Sequence, residues 1–342
     1  MTWLSVKRVN KFYIGMYING AVTLLDKLNL IIKISGAMTV DPEKRKSQLS
    51  PIKYGYIKGR TAYFIMVILN AKDILLLSKA DLVQLNDLYV NHPEALPSVF
   101  WPYQHSKWNL NKRLNALCNH FETQPLVSDL FNCGRYSKKT VVSLNDFYRG
   151  MDIVVDRNGI FLREGMIVLS IQIDGERMFS IAFSLIRDGS SNVVSVIGAI
   201  QGRKKDGINS MYHDITKKMF GIRPRDLTVE LFQMICKATG VDKIYAISEL
   251  YRQQRHFFYS FKDKHDFLML NYDEVWSDRG GVYCNAGFYE LPVNPDRRSI
   301  ESIISKKRSM YKKRYELLSL IEKKVFSDIN SMNAGHLGNV IG

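Results

Sequence analysis

Between Asn192 and Glu249 the chain places positive charge where a strand turns into a helix. The run Asn192–Gly202, NVVSVIGAIQG, reads as a strand ending at Gln201-Gly202, and Arg203, Lys204, Lys205, Asp206 and Gly207 follow it. Further on, Gly221-Ile222-Arg223-Pro224-Arg225 adds two guanidinium groups at the foot of a predicted helix. Unpaired backbone N–H groups, the positive end of a helix dipole and guanidinium forks all favour an anion at such a junction. Gln201, Gly202, Arg203, Lys204, Lys205, Arg223 and Arg225 are therefore the expected anion-binding set.

Two residues nearby could move protons. Glu249 follows the short apolar strand predicted over Lys243–Ser248, and strand ends beside a helix N-terminus are where open α/β sheets place ligands. Tyr272, in Asn271-Tyr272-Asp273-Glu274-Val275-Trp276, carries a phenol that can give or take a proton. If the chain is an enzyme, Glu249 and Tyr272 are the expected catalytic pair. Asp273 and Glu274 are adjacent and so point apart, while Tyr272 and Trp276 are spaced to pack on one helix face. His213, His256 and His265 have no partner at metal-ligand or triad spacing and read as surface or satisfied core histidines. Cys118, Cys133, Cys236 and Cys284 form no C-x-x-C pair, which argues against a zinc ribbon or a thioredoxin-type site. No metal is expected, and Cys236, on the apolar side of its helix, should be a buried free thiol.

A second basic feature lies near the C-terminus. Lys306, Lys307, Arg308, Lys312, Lys313 and Arg314 share a predicted helix whose buried stripe is expected at Ile304, Tyr311, Leu318 and Val325. Its charges are either a solvated face or a surface for RNA, lipid headgroups or an acidic partner. The whole chain is basic, with a net charge of +15 over 342 residues, 46% hydrophobic and 24% charged. Mean hydropathy is −0.14 and the pI about 9.5. Such a balance suits a globular protein whose partner is RNA, a phosphate-bearing metabolite or anionic lipid. The longest apolar stretches, Tyr63–Leu77 and Ala21–Val40, are broken by charges such as Lys72, Asp73, Asp26 and Lys27. Neither reaches the ~20 uncharged residues of a membrane span, so the expected location is cytoplasmic, with a peripheral role at the inner membrane left open. Oligomeric state is not encoded.

The elements that must position these groups fall into two regions. Residues 1–150 are expected to be mainly helical, with Ile74, Leu77, Leu82, Leu85 and Leu88 at helical spacing. Trp101, Tyr103 and Trp108 there read as packing residues rather than a stacking platform. Residues 151–342 turn β-rich, with strands expected at Met151–Val155, Phe161–Arg163, Met166–Ile173, Arg177–Ile186 and Asn192–Ile200. The turns Asp174-Gly175 and Asp188–Ser191 make the middle of this run an antiparallel meander with one buried face. A helix starting at Pro224, apolar at Leu227, Leu231, Met234, Ile235 and Ala238, ends at Gly240. The class is α+β: a helical first half, a meander, then a strand–loop–helix–strand unit. That order resembles acyl-CoA N-acyltransferases of the GNAT type, in which the loop after the central strand holds the cofactor pyrophosphate on backbone N–H groups. The customary loop pattern is Gln/Arg-x-x-Gly-x-Gly/Ala, and Gln201–Gly207 departs from it with charge where glycine is wanted.

A family resemblance rests on motifs spread over roughly residues 100–325. They are Phe179-Ser180-Ile181-Ala182-Phe183, Ile197-Gly198-Ala199-Ile200-Gln201-Gly202 and Gly221-Ile222-Arg223-Pro224-Arg225, then Tyr272-Asp273-Glu274-Val275-Trp276 and Gly287-Phe288-Tyr289-Glu290-Leu291-Pro292. The last is Lys307-Arg308-Ser309-Met310-Tyr311-Lys312-Lys313-Arg314-Tyr315. In this order they resemble the VirK/YbjX family, otherwise domain of unknown function DUF535. The resemblance implies a protein of a Gram-negative enteric bacterium, associated with virulence, production of surface virulence proteins and tolerance of cationic antimicrobial peptides. It brings no agreed catalytic residues. Three readings follow. One is a non-catalytic cytoplasmic accessory protein for the post-transcriptional production, or the export, of surface virulence factors. Another is a GNAT-like acyl- or aminoacyl-transferase using acyl-CoA or another phosphate-bearing donor. The third is a peripheral envelope-maintenance factor binding anionic lipid through Lys306–Arg314.

Overall fold

In the computed structural model, Lys27, Asn29, Leu30 and residues 68–134, 137–157, 159–257, 270–284 and 286–338 are described, with side chains to 333. The candidate His265 lies outside the described residues. Two compact units emerge, one comprising residues 1–101 with 109–114 and the other residues 102–108 with 115–342.

The first unit contains α1 (Ala71–Leu76), α2 (Lys79–Asn91), α3 (Leu96–Phe100) and the start of α4 (Leu110–Val127). Helix α2 begins where it does because Ser78 and Asp81 cap each other's backbone N–H groups. Its Leu82, Leu85 and Leu88 are buried, as helical spacing predicts. The buried Arg113 guanidinium donates to Asn70 Oδ1, and the Asn70 amide nitrogen donates to the Phe100 carbonyl at 2.8 Å.

The second unit is built on one sheet of β1 (Lys138–Ser143), β2 (Met151–Asp156), β3 (Ile167–Ile173), β4 (Glu176–Arg187), β5 (Val193–Gly202), β6 (Lys243–Ile247), β7 (Val282–Cys284) and β8 (Phe288–Leu291). Their order is β1-β2-β3-β4-β5-β6-β8-β7. Among these strands only β5 and β6 pair in parallel. Helices α5 (Ile208–Lys218) and α6 (Pro224–Ala238) cross from β5 to β6, α7 (Tyr272–Asp278) precedes β7, and α8 (Ser305–Gly338) closes the chain.

The α+β class and the meander follow the sequence pattern, and several details depart from it. Phe161–Arg163 is not a strand. Gly159–Phe161 forms a 3₁₀ turn whose Phe161 carbonyl accepts from the amides of both Glu164 and Gly165, so Phe161 is buried by a turn and not by a pleat. Strand β3 is buried on both faces along its whole length, not on one. Strand β1 and the β7–β8 hairpin, not anticipated, are short and mostly polar or exposed on one side. Helix α5 was not anticipated either, although Ile208, Met211, Tyr212 and Ile215 fall on one face at helical spacing and pack against the core.

Helix α6 packs Leu227, Leu231, Phe232 and Ile235 into the core, and its Phe232 ring meets Phe183 of β4 edge-on at 4.9 Å. Cys236 is a buried free thiol, as its position on the helix implies. Helix α8 lies against α6 and β1 through Leu317, Leu318, Ile321, Val325 and Ile329. The expected stripe is correct at Leu318 and Val325. It fails at Ile304, which is 65% exposed because the helix starts one residue later, at Ser305.

One irregularity controls the centre of the sheet. Across β4 and β5 the rungs pass from Ala182↔Ala199 to Phe183↔Ile197, which leaves Gly198 as an extra residue on β5. The parallel rungs between β5 and β6 stop at Ile197↔Ala246, while β5 runs on to Gly202. A bulge bends its strand, so β5 leaves β6 at this point and the sheet opens. Only glycine fits there, since a β-carbon on residue 198 would stand 1.8 Å from the backbone oxygen of Glu164.

The α8 seam gives a direct stability prediction. Ile321→Ala should cost about 2–5 kcal/mol, whereas Lys312→Ala on the exposed side should stay within about 0.5 kcal/mol. Urea unfolding of the two variants measures both.

Candidate functional site

The opening between β5 and β6 gathers side chains from four places in the chain. Arg163–Gly165 enters from the β2–β3 connection, and Gln104 joins it, donating its side-chain amide to the Val196 carbonyl at 3.0 Å. The turn Ser248–Arg255 follows β6, and the N-terminus of α7 completes the group.

Helix α7 is locked onto the end of β6 by reciprocal bonds. Asp273 Oδ1 accepts from the Glu249 amide at 2.8 Å, Glu249 Oε2 accepts from the Tyr272 amide at 3.3 Å, and Trp276 Nε1 donates to the Ile247 carbonyl at 2.8 Å. Asn271 caps the helix by accepting from Asp273 N. As the four-residue spacing predicts, the Tyr272 and Trp276 rings pack together, at 5.8 Å. The Tyr272 hydroxyl accepts from the Ile200 amide at 3.2 Å, on the part of β5 beyond its last rung with β6. Burial pushes the phenol up to about 12, and Arg252 opposes that shift. Glu249 and Tyr272, separated by 23 positions, thus meet in one site. Glu249 is already paired with Arg252 at 3.3 Å and with Arg255.

Glu164, Arg252 and Gln253, which sequence reasoning passed over, also belong to this site. Glu164 is 6% exposed and its Oε1 accepts from Gln253 Nε2 at 2.8 Å and Gln254 Nε2 at 3.0 Å. Burial raises its carboxyl from 4.5 to about 7, against the opposing bond from Gln253. A carboxylate tuned near neutrality can take up a proton from a substrate at physiological pH. Arg252 is 3% exposed, and its guanidinium lies over the Tyr272 ring at 4.7 Å. The strand-end rule that selects Glu249 extends three and four residues further, to Arg252 and Gln253. Glu164 has no such signal, because only the fold carries its turn across β4 to the bulge.

His105 is buried beside this site as a packing residue. Its Nδ1 accepts from the Lys107 amide at 3.1 Å, so Nε2 carries the hydrogen and donates to the Ala286 carbonyl at 3.0 Å. The ring stacks on Tyr251 and Trp108. Tyr103 is fully buried with its hydroxyl 2.5 Å from Ser184 Oγ, so the aromatic cluster around it packs as expected. His213 is exposed on α5, and His256 packs on Phe257 at 4.3 Å.

The basic loop follows directly from β5. Arg203 and Lys205 converge on Glu176 of the β3–β4 hairpin, each at 3.0 Å. The Lys205 bond first, then the charge of Arg203, holds the Glu176 carboxyl below its ordinary value. Gln201 and Gly202 end the strand, Lys204 is exposed, and the Arg203 amide donates to Met178 O and to the Tyr212 hydroxyl, both at 2.9 Å. Gly207, with φ 78°, takes the left-handed turn that starts α5. Arg223 is exposed at the N-cap of α6. Arg225 is held by Asp226 at 2.8 Å and Asp278 at 3.2 Å, two residues that line a separate cavity of about 540 Å³. Within that cavity Glu230 is clasped by both Nη groups of Arg297 and by Arg279.

On α8 the six basic residues divide. Lys306, Lys307, Lys312 and Lys313 are exposed. Arg308 donates to the carbonyls of Ile303 and Glu301, and Arg314 donates to Phe220 O while lying over Tyr311 at 4.1 Å. No group of residues among those described is arranged to hold a metal ion. No described helix is long and apolar enough to cross a membrane.

A family model described as "Protein of unknown function (DUF535)" matches residues 53–327. Two uncharacterized proteins of Haemophilus influenzae are 26% identical over 62% of this chain and 69% of their own, and 25% identical over 69% and 77%. The uncharacterized protein YbjX of Escherichia coli is 32% identical over 37% of this chain and 38% of its own. No solved structure matches.

The raised Glu164 pKa predicts a pH signature. The folded state holds this proton more tightly than the unfolded chain does, so stability falls as pH rises from about 4.5 to about 7 and then levels off. Glu164→Gln removes that decline. Relative to the variant, the native chain should lose on the order of 3 kcal/mol between pH 5 and pH 8, measured by urea unfolding at both.

Proposed function

The chain belongs to the DUF535 family, and with that as premise we propose that it transfers acyl or aminoacyl groups in the opening between β5 and β6. The parting of the parallel strands at the Gly198 bulge, with the Tyr272 phenol bonded to a β5 amide inside the opening, carries this reading. Open sheets bind ligands where their topology switches, and here the switch is from antiparallel to parallel pairing. The meander, basic loop, helices and parallel strand also follow the order that GNAT-type transferases use.

The chemistry needs a base and an acid. An amine must lose a proton before its nitrogen can bond to the donor's carbonyl carbon, and the leaving group must gain one as its bond to that carbon breaks. Glu164, near 7, is suited to accept the amine's proton. Tyr272, near 12, stays protonated at neutral pH and can supply the leaving group. Glu249 orients Tyr272 through its backbone amide and holds Arg252 in place. A phosphate-bearing donor such as acyl-CoA would supply the activated carbonyl. Arg203, Lys204 and Lys205, one step beyond Gln201 and Gly202, would face its phosphates and exchange the Glu176 pairing for them.

The setting implied by the family resemblance, support of surface virulence factors and tolerance of cationic peptides, is where loss of this activity would be felt in cells. The exposed Lys306, Lys307, Lys312 and Lys313 favour one addition, contact with anionic lipid.

Two measurements test these readings. Acyl-CoA or another phosphate-bearing donor should raise the melting temperature, and alanine at Arg203, Lys204 and Lys205 should remove that rise; no shift with any such donor sinks the transferase reading. Flotation with vesicles containing anionic phospholipid should retain the chain and lose it when the four lysines become glutamate, while equal retention on neutral vesicles sinks the lipid reading.

A further inference from the structure

Around the end of β6, buried polar atoms stand without hydrogen-bond partners among the described residues. They are Glu164 Oε2, Ser248 Oγ, Gln253 Oε1, Gln254 Oε1, and both Nε and Nη2 of Arg252. Glu164, Ser248, Arg252 and Gln253 are each no more than 6% exposed. Folded proteins keep such groups to a few per hundred residues. Others are scattered singly through the described residues, but these six gather in one short turn and the residue it touches, which points to a ligand that completes them.

Their chemistry is divided. On Arg252, Nη1 is committed to Leu270 O at 3.4 Å and Glu249 Oε2 at 3.3 Å. The remaining Nε and Nη2 form the lateral edge of the guanidinium, two parallel N–H donors spaced for the two oxygens of a carboxylate. The Tyr272 ring under the guanidinium holds its plane. Opposite in character are Glu164 Oε2, Gln253 Oε1 and Gln254 Oε1. Each glutamine amide nitrogen gives one of its two N–H groups to Glu164 Oε1, and the unmatched atoms of these three side chains are acceptor oxygens. Three acceptors suit the three N–H donors of a primary ammonium group.

We propose that the turn Ser248–Gln254 with Glu164 is an acceptor-recognition site for compounds carrying both a carboxylate and a primary amine, the amino-acid class. The carboxylate lies along the Arg252 edge, and the amine meets Glu164 and the two glutamine oxygens. This assignment takes its chemical purpose from the transferase reading above, since the bound amine would be the nucleophile. Binding itself requires no donor.

Isothermal calorimetry on the full chain, without any donor, tests the assignment with glycine, L-alanine, L-glutamate and L-lysine. Each is compared with its methyl ester, which removes the carboxylate charge, and its N-acetyl derivative, which removes the α-ammonium. At least one free amino acid should bind, with its ester and acetyl forms roughly 10- to 100-fold weaker. Arg252→Lys, which keeps the charge and loses the two-pronged edge, should weaken binding by a similar factor. If none of the four binds, or if esters and acetyl forms bind equally well, the assignment is wrong. The comparison among ligands decides the matter on the native chain even if the Arg252 variant fails to fold. A donor-induced melting shift without amino-acid binding overturns this inference alone, and amino-acid binding without any donor shift upholds it while overturning the transferase reading.

Discussion

At Gly198 the backbone of β5 carries one more residue than β4 opposite it, and the carbonyl of Glu164 occupies the space where a side chain would stand. The rest of the site depends on this contact. The extra residue bends β5 away from β6 after the Ile197↔Ala246 rung, so the last residues of β5, still paired with β4 on one side, present the other side of their backbone to side chains. Tyr272 satisfies one of the amides so exposed. The same contact brings Glu164 to the bulge, buries it and shifts its proton affinity toward neutrality. A larger residue at 198 would displace the Glu164 turn and close the arrangement.

Charge is distributed around this opening in two different states. At the solvent edge, Arg203 and Lys205 share the exposed Glu176, an arrangement that costs little to break because water screens it. Inside, Glu249 joins Arg252, Arg255 and the α7 backbone in a half-buried network, where each bond is worth more and each unpaired atom costs more. An ion pair is cheap to exchange at the first and costly at the second, which is why the proposed donor is assigned to the outer loop and the proposed acceptor to the inner turn.

Much of the architecture was legible in the sequence because it rests on local periodicity. The hairpin turns at Asp174-Gly175 and Asp188–Ser191 and the helix from Pro224 to Ala238 appear as expected, since turn chemistry and apolar spacing act over a few residues. Short elements with little apolar content were not legible: strand β1 is largely polar, and β7 is three residues long with Val282 and Tyr283 exposed. Helix α5 was missed although Ile208, Met211, Tyr212 and Ile215 carry its period. Phe161 drew an expectation of strand because an aromatic in a β-rich run suits a pleat, yet a 3₁₀ turn buries it equally well.

By itself the sequence determined the class of the fold and the family motifs, and it pointed to Glu249 and Tyr272, which the fold brings together, because strand ends and helix starts are written in short stretches of chain. It also showed the excess of positive charge. Tertiary structure alone decided which of those charges are committed, tying Arg225 to Asp226 and Asp278, Arg314 to Phe220, and Arg203 with Lys205 to Glu176. It alone brought Glu164 to within a hydrogen bond of Gln253, 89 positions away. The reason is physical. Propensity and periodicity are properties of neighbouring residues, whereas burial, pairing and a shifted pKa belong to groups that meet only after the sheet has formed and the Gly198 bulge has opened it.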